Sequence, residues 1–327
     1  MKNILFLLVT VLCLLACRDK KSGNVLYCQV ENQIEEYPDS SFFSNITCMS
    51  YNNGKLYVLD KKRGDIVELS DDLKNVKYVS RHGEAPYETV MPVTFGVLND
   101  TIYVVDFGTR SMKKFHEGVF FGDFSLSNAN ENRFSLNDSL LFLSATTDST
   151  SFLIIDIQEP DKQNPAGKVI EERTKLKTII TNKKYILYDK EGGIFSVSDC
   201  NPYIEQYDIF GKHVKTYDIS SIPVIKESIE YVKKTASQDN SVYRYIMDAY
   251  LLNDNIYLLC SSGNPHGDYS VNTILKLSIN NGMENVSTYL LPHKYYSSFC
   301  VSDLYLFAAQ EVKNSTIEKI NMSDVDR

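Results

Sequence analysis

One pattern recurs six times along the chain and constrains its fold more than any other feature. NGKLYVLD (53–60), NDTIYVVD (99–106), NDSLLFLS (137–144), EGGIFSVSD (191–199), NDNIYLLC (253–260) and VSDLYLFA (301–308) each place a polar turn before a short β-rich run. With Tyr57, Tyr103, Leu141, Phe195, Tyr257 and Tyr305 taken as equivalent, the spacings are 46, 38, 54, 62 and 48 residues. A unit of this size is one supersecondary element that buries its apolar faces by stacking on its neighbours.

Each unit fills out as four strands. In the first, ITCMSY (46–51) precedes the Asn52-Asn53-Gly54 turn, and KLYVLD, DIVELS (65–70) and NVKYVS (75–80) follow. The second and fourth units repeat the plan with TFGVL, TIYVVD, SMKKFH and VFFGDFSL, and with KYILYD, IFSVSD, YIEQYD and KHVKTYDI. Asn-Gly and Asn-Asp turns between apolar runs mark antiparallel hairpins. Leu56-Tyr57-Val58-Leu59 is apolar on both alternating faces, as a sheet covered on both sides demands. The pattern predicts an all-β, six-bladed β-propeller of four-stranded antiparallel blades; a β-sandwich would not produce six like units. The last unit supplies SSFCV, DLYLFAAQ and TIEKINM, one strand short. The run NVLYCQV (24–30) is the expected outer strand of blade six, closing the ring and covering an edge that would otherwise invite aggregation.

The first residues read MKNILFLLVTVLCLLAC, with Lys2 ahead of an apolar stretch from Ile4 to Ala16 that is too short for a transmembrane helix. This is the pattern of a signal peptide over 1–16. Leu14-Leu15-Ala16-Cys17 resembles the bacterial lipobox, which implies lipidation of Cys17, a tether over 17–23 and a single propeller domain over 24–327. Acyl chains on Cys17 would make the membrane a partner of the chain, each buried methylene contributing about 0.8 kcal/mol.

Without Lys2 the chain carries 33 basic and 42 acidic residues, a formal charge of −9, which disfavours nucleic acid as a partner. Cys28, Cys48, Cys200, Cys260 and Cys300 remain beyond Cys17, none in a zinc spacing, and four of the five sit in apolar patterns as small buried hydrophobes do. The five histidines are scattered, and the chain has no HExxH, phosphate loop or GxSxG elbow.

Together the lipobox, the six repeats and RHGEAPYE (81–88) resemble the six-bladed, TolB-like or NHL-like propeller lipoproteins of the Bacteroidota. Arg81, Gly83, Pro86 and Glu88 follow that family's Gly-Arg-Gly-Pro-Gly-Glu-like loop, whereas Ala85 and Tyr87 stand where it has glycines. The absence of tryptophan sets aside the Trp-Asp repeat of WD40 propellers. The resemblance implies an outer-membrane lipoprotein. Arg18-Asp19-Lys20-Lys21 in place of an acidic tract after Cys17 favours the periplasmic side over the cell surface.

Loops leaving the second and fourth strands of propeller blades gather around one mouth of the central channel. Here they are 60–65, 80–88, 106–111, 129–133, 198–202 and 261–270, and they bring Arg81, His82, Glu84, Glu88, Arg110, Arg133, His266 and Asp268 toward a polar ligand such as a glycan or peptide. A plainer reading has Arg81 and Glu88 pairing to fix a crossing between blades. The segment 222–240 carries Ile225, Ile229 and Val232 at helical spacing, which predicts an amphipathic insertion between blades four and five that packs on the blades or acts as a lid. With no catalytic constellation in view, the sequence points to a monomeric, cofactor-free body that binds a protein or glycan partner. The alternatives are a metal-dependent hydrolase or lyase, resembling six-bladed lactonases with a channel cation such as calcium, or a structural envelope component.

Overall fold

A computed structural model describes residues 24–126, 129–235, 242–263, 269–311 and 313–322. Cys17, His266 and Asp268, with the signal and tether segments, lie outside the described residues.

The chain opens with β1 (Asn24–Tyr27) and β2 (Val30–Ile34). Blade one follows as β3 (Ile46–Asn52), β4 (Lys55–Asp60), β5 (Asp65–Ser70) and β6 (Val76–Ser80), and blade two as β7 (Pro92–Leu98), β8 (Thr101–Asp106), β9 (Ser111–His116) and β10 (Val119–Ser125). Blade three is β11 (Ser135–Leu136), β12 (Leu140–Ser144), β13 (Phe152–Asp156) and β14 (Gln163–Ala166). After α1 (Lys175–Thr181), blade four is β15 (Lys184–Asp189), β16 (Gly193–Ser198), β17 (Tyr203–Tyr207) and β18 (His213–Asp218). After α2 (Pro223–Thr235), blade five is β19 (Ile246–Leu252), β20 (Asn255–Gly263), β21 (Tyr269–Ser278) and β22 (Glu284–Leu290). Blade six takes β23 (Tyr296–Val301), β24 (Tyr305–Glu311) and β25 (Ser315–Asn321). Sequential strands pair antiparallel within every blade, so the architecture is the six-bladed propeller that the repeats predict.

The hairpin turns explain the repeat. Asn53 and Gly54 (φ 49° and 78°), Asn99 and Asp100 (48° and 59°), and Asn253 and Asp254 (47° and 56°) all adopt the left-handed backbone of tight two-residue hairpins. Each turn joins the innermost strand of its blade to the second, which is buried along nearly its whole length, as in β4 and β8. Burial on both faces follows from stacking. Six apolar clusters occupy the six interfaces between successive blades, including one in which Tyr37 and Phe43 join blade one to Phe307, Ala309 and Ile317 of blade six.

Closure by an N-terminal strand holds, but the strand assigned from sequence is displaced. Val30–Ile34, and not the NVLY run, pairs antiparallel with β25 and completes blade six, with Val30 opposite Ile320 and Ile34 opposite Ile317. Asn24–Tyr27 pairs in parallel with β22, giving blade five a fifth strand, and the Cys28 amide continues the ladder by donating to the Leu290 carbonyl at 2.9 Å. The reason is physical. An outermost strand faces solvent on one side, so VENQI alternates half-buried and exposed, whereas a search for apolar content selects the wrong neighbour.

A chain that begins at Val30 is expected to keep the ring closed and lose only a few degrees of Tm. One that begins at Glu35 leaves β25 as an open edge, and its Tm is expected to fall by on the order of 10 °C, with aggregation on heating. Thermal unfolding followed by light scattering distinguishes the two.

Candidate functional site at the channel mouth

A cavity of about 390 Å³ opens at the channel mouth formed by the loops that leave the second and fourth strands. Its floor is a buried ion pair. Arg133, just ahead of β11, sends Nε and Nη2 to the two carboxylate oxygens of Asp248 in β19, at 3.2 and 2.8 Å. Nη1 donates to the Met49 carbonyl of blade one at 2.6 Å, and Nη2 also to the Phe299 carbonyl of blade six at 3.0 Å. Asp248 further accepts from Ser298 Oγ and the Phe299 amide. The guanidinium lies 5.0 Å from the Tyr250 ring centroid. Burial alone would lower the Arg133 pKa, but the Asp248 charge more than offsets it and the group stays cationic. Arg133 also lines a smaller cavity at the opposite mouth, so its side chain divides the channel.

Above this floor most of the charged groups are engaged with one another, though not one to one. Lys61 and Lys183 both hold Glu131, at 2.6 and 2.7 Å. Burial would raise the Glu131 carboxyl, but these hydrogen bonds and charges bring it down to about 2. Arg244 Nε lies 3.1 Å from Asp199 Oδ2, and Arg244 Nη2 donates to the Tyr185 hydroxyl at 2.6 Å. Glu318, fully buried, accepts from Tyr296 at 2.8 Å and lies 3.0 Å from His293 Nε2. Burial pushes its carboxyl up, against the pull of Tyr296 and His293. Among the described residues no group of three or more His, Cys, Asp or Glu could hold a metal ion. The acids nearest the floor, Asp248 and Glu131, already serve protein cations and amides.

Blade five raises one wall of the cavity. The long β20–β21 hairpin carries Tyr269 at its top, and α2 packs along β20 with Ile225 in the cluster between blades four and five. Gly263 lies directly under the Tyr231 ring, where a Cβ would come within 2.4 Å, so the helix rests on the blade. Tyr295 lies close by in the loop between blades five and six. Its backbone is fixed by a bridge to Val271 and by the Glu311 amide, while the residue stays 40% exposed. Tyr269 is 36% exposed.

The residues singled out from sequence are dispersed. Arg133 lies in the cavity with all three guanidinium nitrogens bonded. Arg110 borders a separate groove between blades two and three with Met91, Phe107 and Leu126. Arg81, His82, Glu84 and Glu88 lie on a loop folded on itself. Arg81 stacks over Tyr78 at 3.8 Å, Glu88 accepts from the Ala85 amide at 2.9 Å, the His82 amide donates to Asp65, and Glu84 makes no part of the cavity wall. A Cβ at Gly83 would meet the Glu88 carboxylate at 1.9 Å, so a substitution there would have to move that side chain off the Ala85 amide. The anticipated pairing of Arg81 with Glu88 is thus replaced by stacking and backbone bonding.

Sequence reasoning missed Lys61, Asn132, Tyr185, Arg244, Asp248, Tyr269 and Tyr295. The available signal was position, since Asn132, Arg244 and Tyr295 each fall within three residues of an innermost strand's start.

No protein-family profile matches the chain, and no curated protein does. Among solved structures it is similar to a protein of Bacteroides fragilis described as exported, at 13% identity and TM-score 0.58, covering 92% of this chain and 100% of that one. It is similar to a member of the DUF4221 family from Bacteroides vulgatus, at 11% identity and TM-score 0.58 over 92% and 99% of the two chains. Virginiamycin B lyase of Staphylococcus aureus matches at 9% identity and TM-score 0.54 over 89% and 99%. At such identities the likeness is one of fold. The class is the six-bladed β-propeller, which here has both exported proteins and an enzyme among its neighbours.

Arg133→Met leaves the Asp248 charge buried and unpaired, and is expected to cost about 3–5 kcal/mol in urea unfolding, much of it recovered in the Arg133→Met, Asp248→Asn double variant. The lowered carboxyl of Glu131 implies stability that is complete above its ordinary value of 4.5 and is lost as pH falls toward about 2. The wild type should therefore exceed Glu131→Gln in urea midpoint at pH 6, and the two should converge near pH 2.

Proposed function

We propose that this chain is an exported, lipid-anchored envelope protein whose propeller binds a glycan at the channel mouth without catalysis. The observation that carries the reading is the cavity itself. Two partly exposed tyrosines stand on its rim above a polar wall whose side chains are held in place by ion pairs. Flat aromatic faces beside fixed donors and acceptors suit sugar rings, which present an apolar face and a hydroxyl edge. At and above the floor, Asp248 and Glu131 are engaged by Arg133, Lys61 and Lys183, so neither is free to serve there as a base or a metal ligand. The lipobox ending at Cys17 and the exported neighbours support an envelope address, with the periplasmic side of the outer membrane favoured by the basic residues after Cys17. No helix among the described residues is long and apolar enough to cross a membrane.

Glycan-array screening followed by calorimetry on the chain from Arg18 onward tests the binding. Tyr295→Ala and Tyr269→Ala should each weaken a captured glycan about 5- to 10-fold, the worth of one aromatic contact, with Tm unchanged. Failure to retain any glycan, or full affinity in both variants, would sink the reading. Cys17→Ser should abolish fatty-acid labelling and release the protein from the membrane fraction.

A further inference from the structure

The charges around Glu131 and Arg244 do not balance. Two cations, Lys61 and Lys183, share the single carboxylate of Glu131, so one positive charge is left over. Arg244 lines the same cavity with its side chain 39% exposed, while its partner Asp199 is 1% exposed. Asp199 is a poor counter-ion. Neither of its oxygens accepts a well-aligned hydrogen bond among the described residues, and burial pushes its carboxyl toward the neutral form against the pull of Arg244. Asn132 also lines the cavity, 4% exposed, and lies near enough to Asp199 to favour its ionised form. Its amide nitrogen nevertheless lacks a well-aligned acceptor among the described residues. A buried amide donor without an acceptor is uncommon in folded proteins. Arg133 contributes no excess, because Asp248 matches it at two oxygens. The remaining acid of the wall, Glu311, belongs to β24 on the blade-six side, beside Tyr295.

We infer that the cavity is built for an acidic sugar, its carboxylate seated between Lys61, Arg244 and the Asn132 amide and its ring against Tyr295. This deepens the glycan reading and rests on it. A carboxylate supplies what the wall lacks: a charge for the surplus cation, a planar acceptor for Arg244 and an acceptor for Asn132. The chain's formal charge of −9 beyond Lys2 opposes a polyanion at long range, so recognition is confined to one or two acid groups at the mouth.

The test is calorimetry on the chain from Arg18 with short galacturonate, glucuronate and mannuronate oligomers, each against its methyl ester. At least one acid should bind ten-fold or more tighter than its ester at low salt. Lys61→Gln and Asn132→Ala, verified as folded by circular dichroism and Tm, should each cut that ratio to about three-fold or less, whereas Tyr295→Ala should weaken acid and ester alike. Equal affinity for acid and ester, or a preference that survives both Lys61→Gln and Asn132→Ala, overturns the acid subsite and leaves the glycan reading standing. Capture of only neutral glycans on the array does the same. Absence of any sugar binding overturns both.

Discussion

The ring depends on one guanidinium. Arg133 enters from blade three and is bonded to side-chain or backbone groups of blades one, five and six, while its own carbonyl accepts from Ile186 of blade four at 3.0 Å. A propeller's central channel is where apolar packing runs out, because the innermost strands splay and leave backbone carbonyls without partners. Arginine is suited to that position. Its planar fork offers five donors in fixed directions, stays charged when buried, and tolerates an aromatic face such as that of Tyr250. Lysine would satisfy fewer groups, and an apolar plug would leave the Met49 and Phe299 carbonyls unpaired.

The fold was legible because its determinants are local. Asn-Gly and Asn-Asp turns and doubly apolar second strands recur with each blade, and each is read within eight residues. The closing strand was less so, since VENQI has one half-buried face and little apolar content. Helix α1 escaped notice because it is short and only Thr181 in it is buried. The cavity was the least legible part. Lys61 comes from a loop within blade one and Glu131, Arg244 and Tyr295 from three blade boundaries, up to 234 positions apart, and only closure of the ring brings them together. The RHGEAPYE loop attracted attention for its composition, yet its side chains serve its own shape.

The second strands also show how the repeat has drifted. Asp60 accepts the Ser44 and Asn45 amides at 2.7 and 3.1 Å, and Asp106 accepts those of Val90 and Met91 at 3.0 and 2.8 Å, so each ties the incoming chain to its blade. At the position that pairs with the start of the innermost strand, as Asp60 does with Ile46 and Asp106 with Pro92, blades four, five and six have Ser198, Cys260 and Gln310. Blades one and two thus fix their entry loops with charge-assisted bonds. Blades five and six are joined instead by the N-terminal strands and by apolar packing around Leu259, Phe299 and Ile320.

That N-terminal arrangement has a mechanical side. Any pull applied ahead of Asn24 meets the four-residue parallel ladder between β1 and β22 before it reaches β2. A short ladder with three of its four residues exposed is the weaker of the two joints. It detaches first and pays out slack, while the antiparallel strand that closes the ring carries no load. The fifth strand of blade five is thus a fuse set between the residues ahead of Asn24 and the propeller.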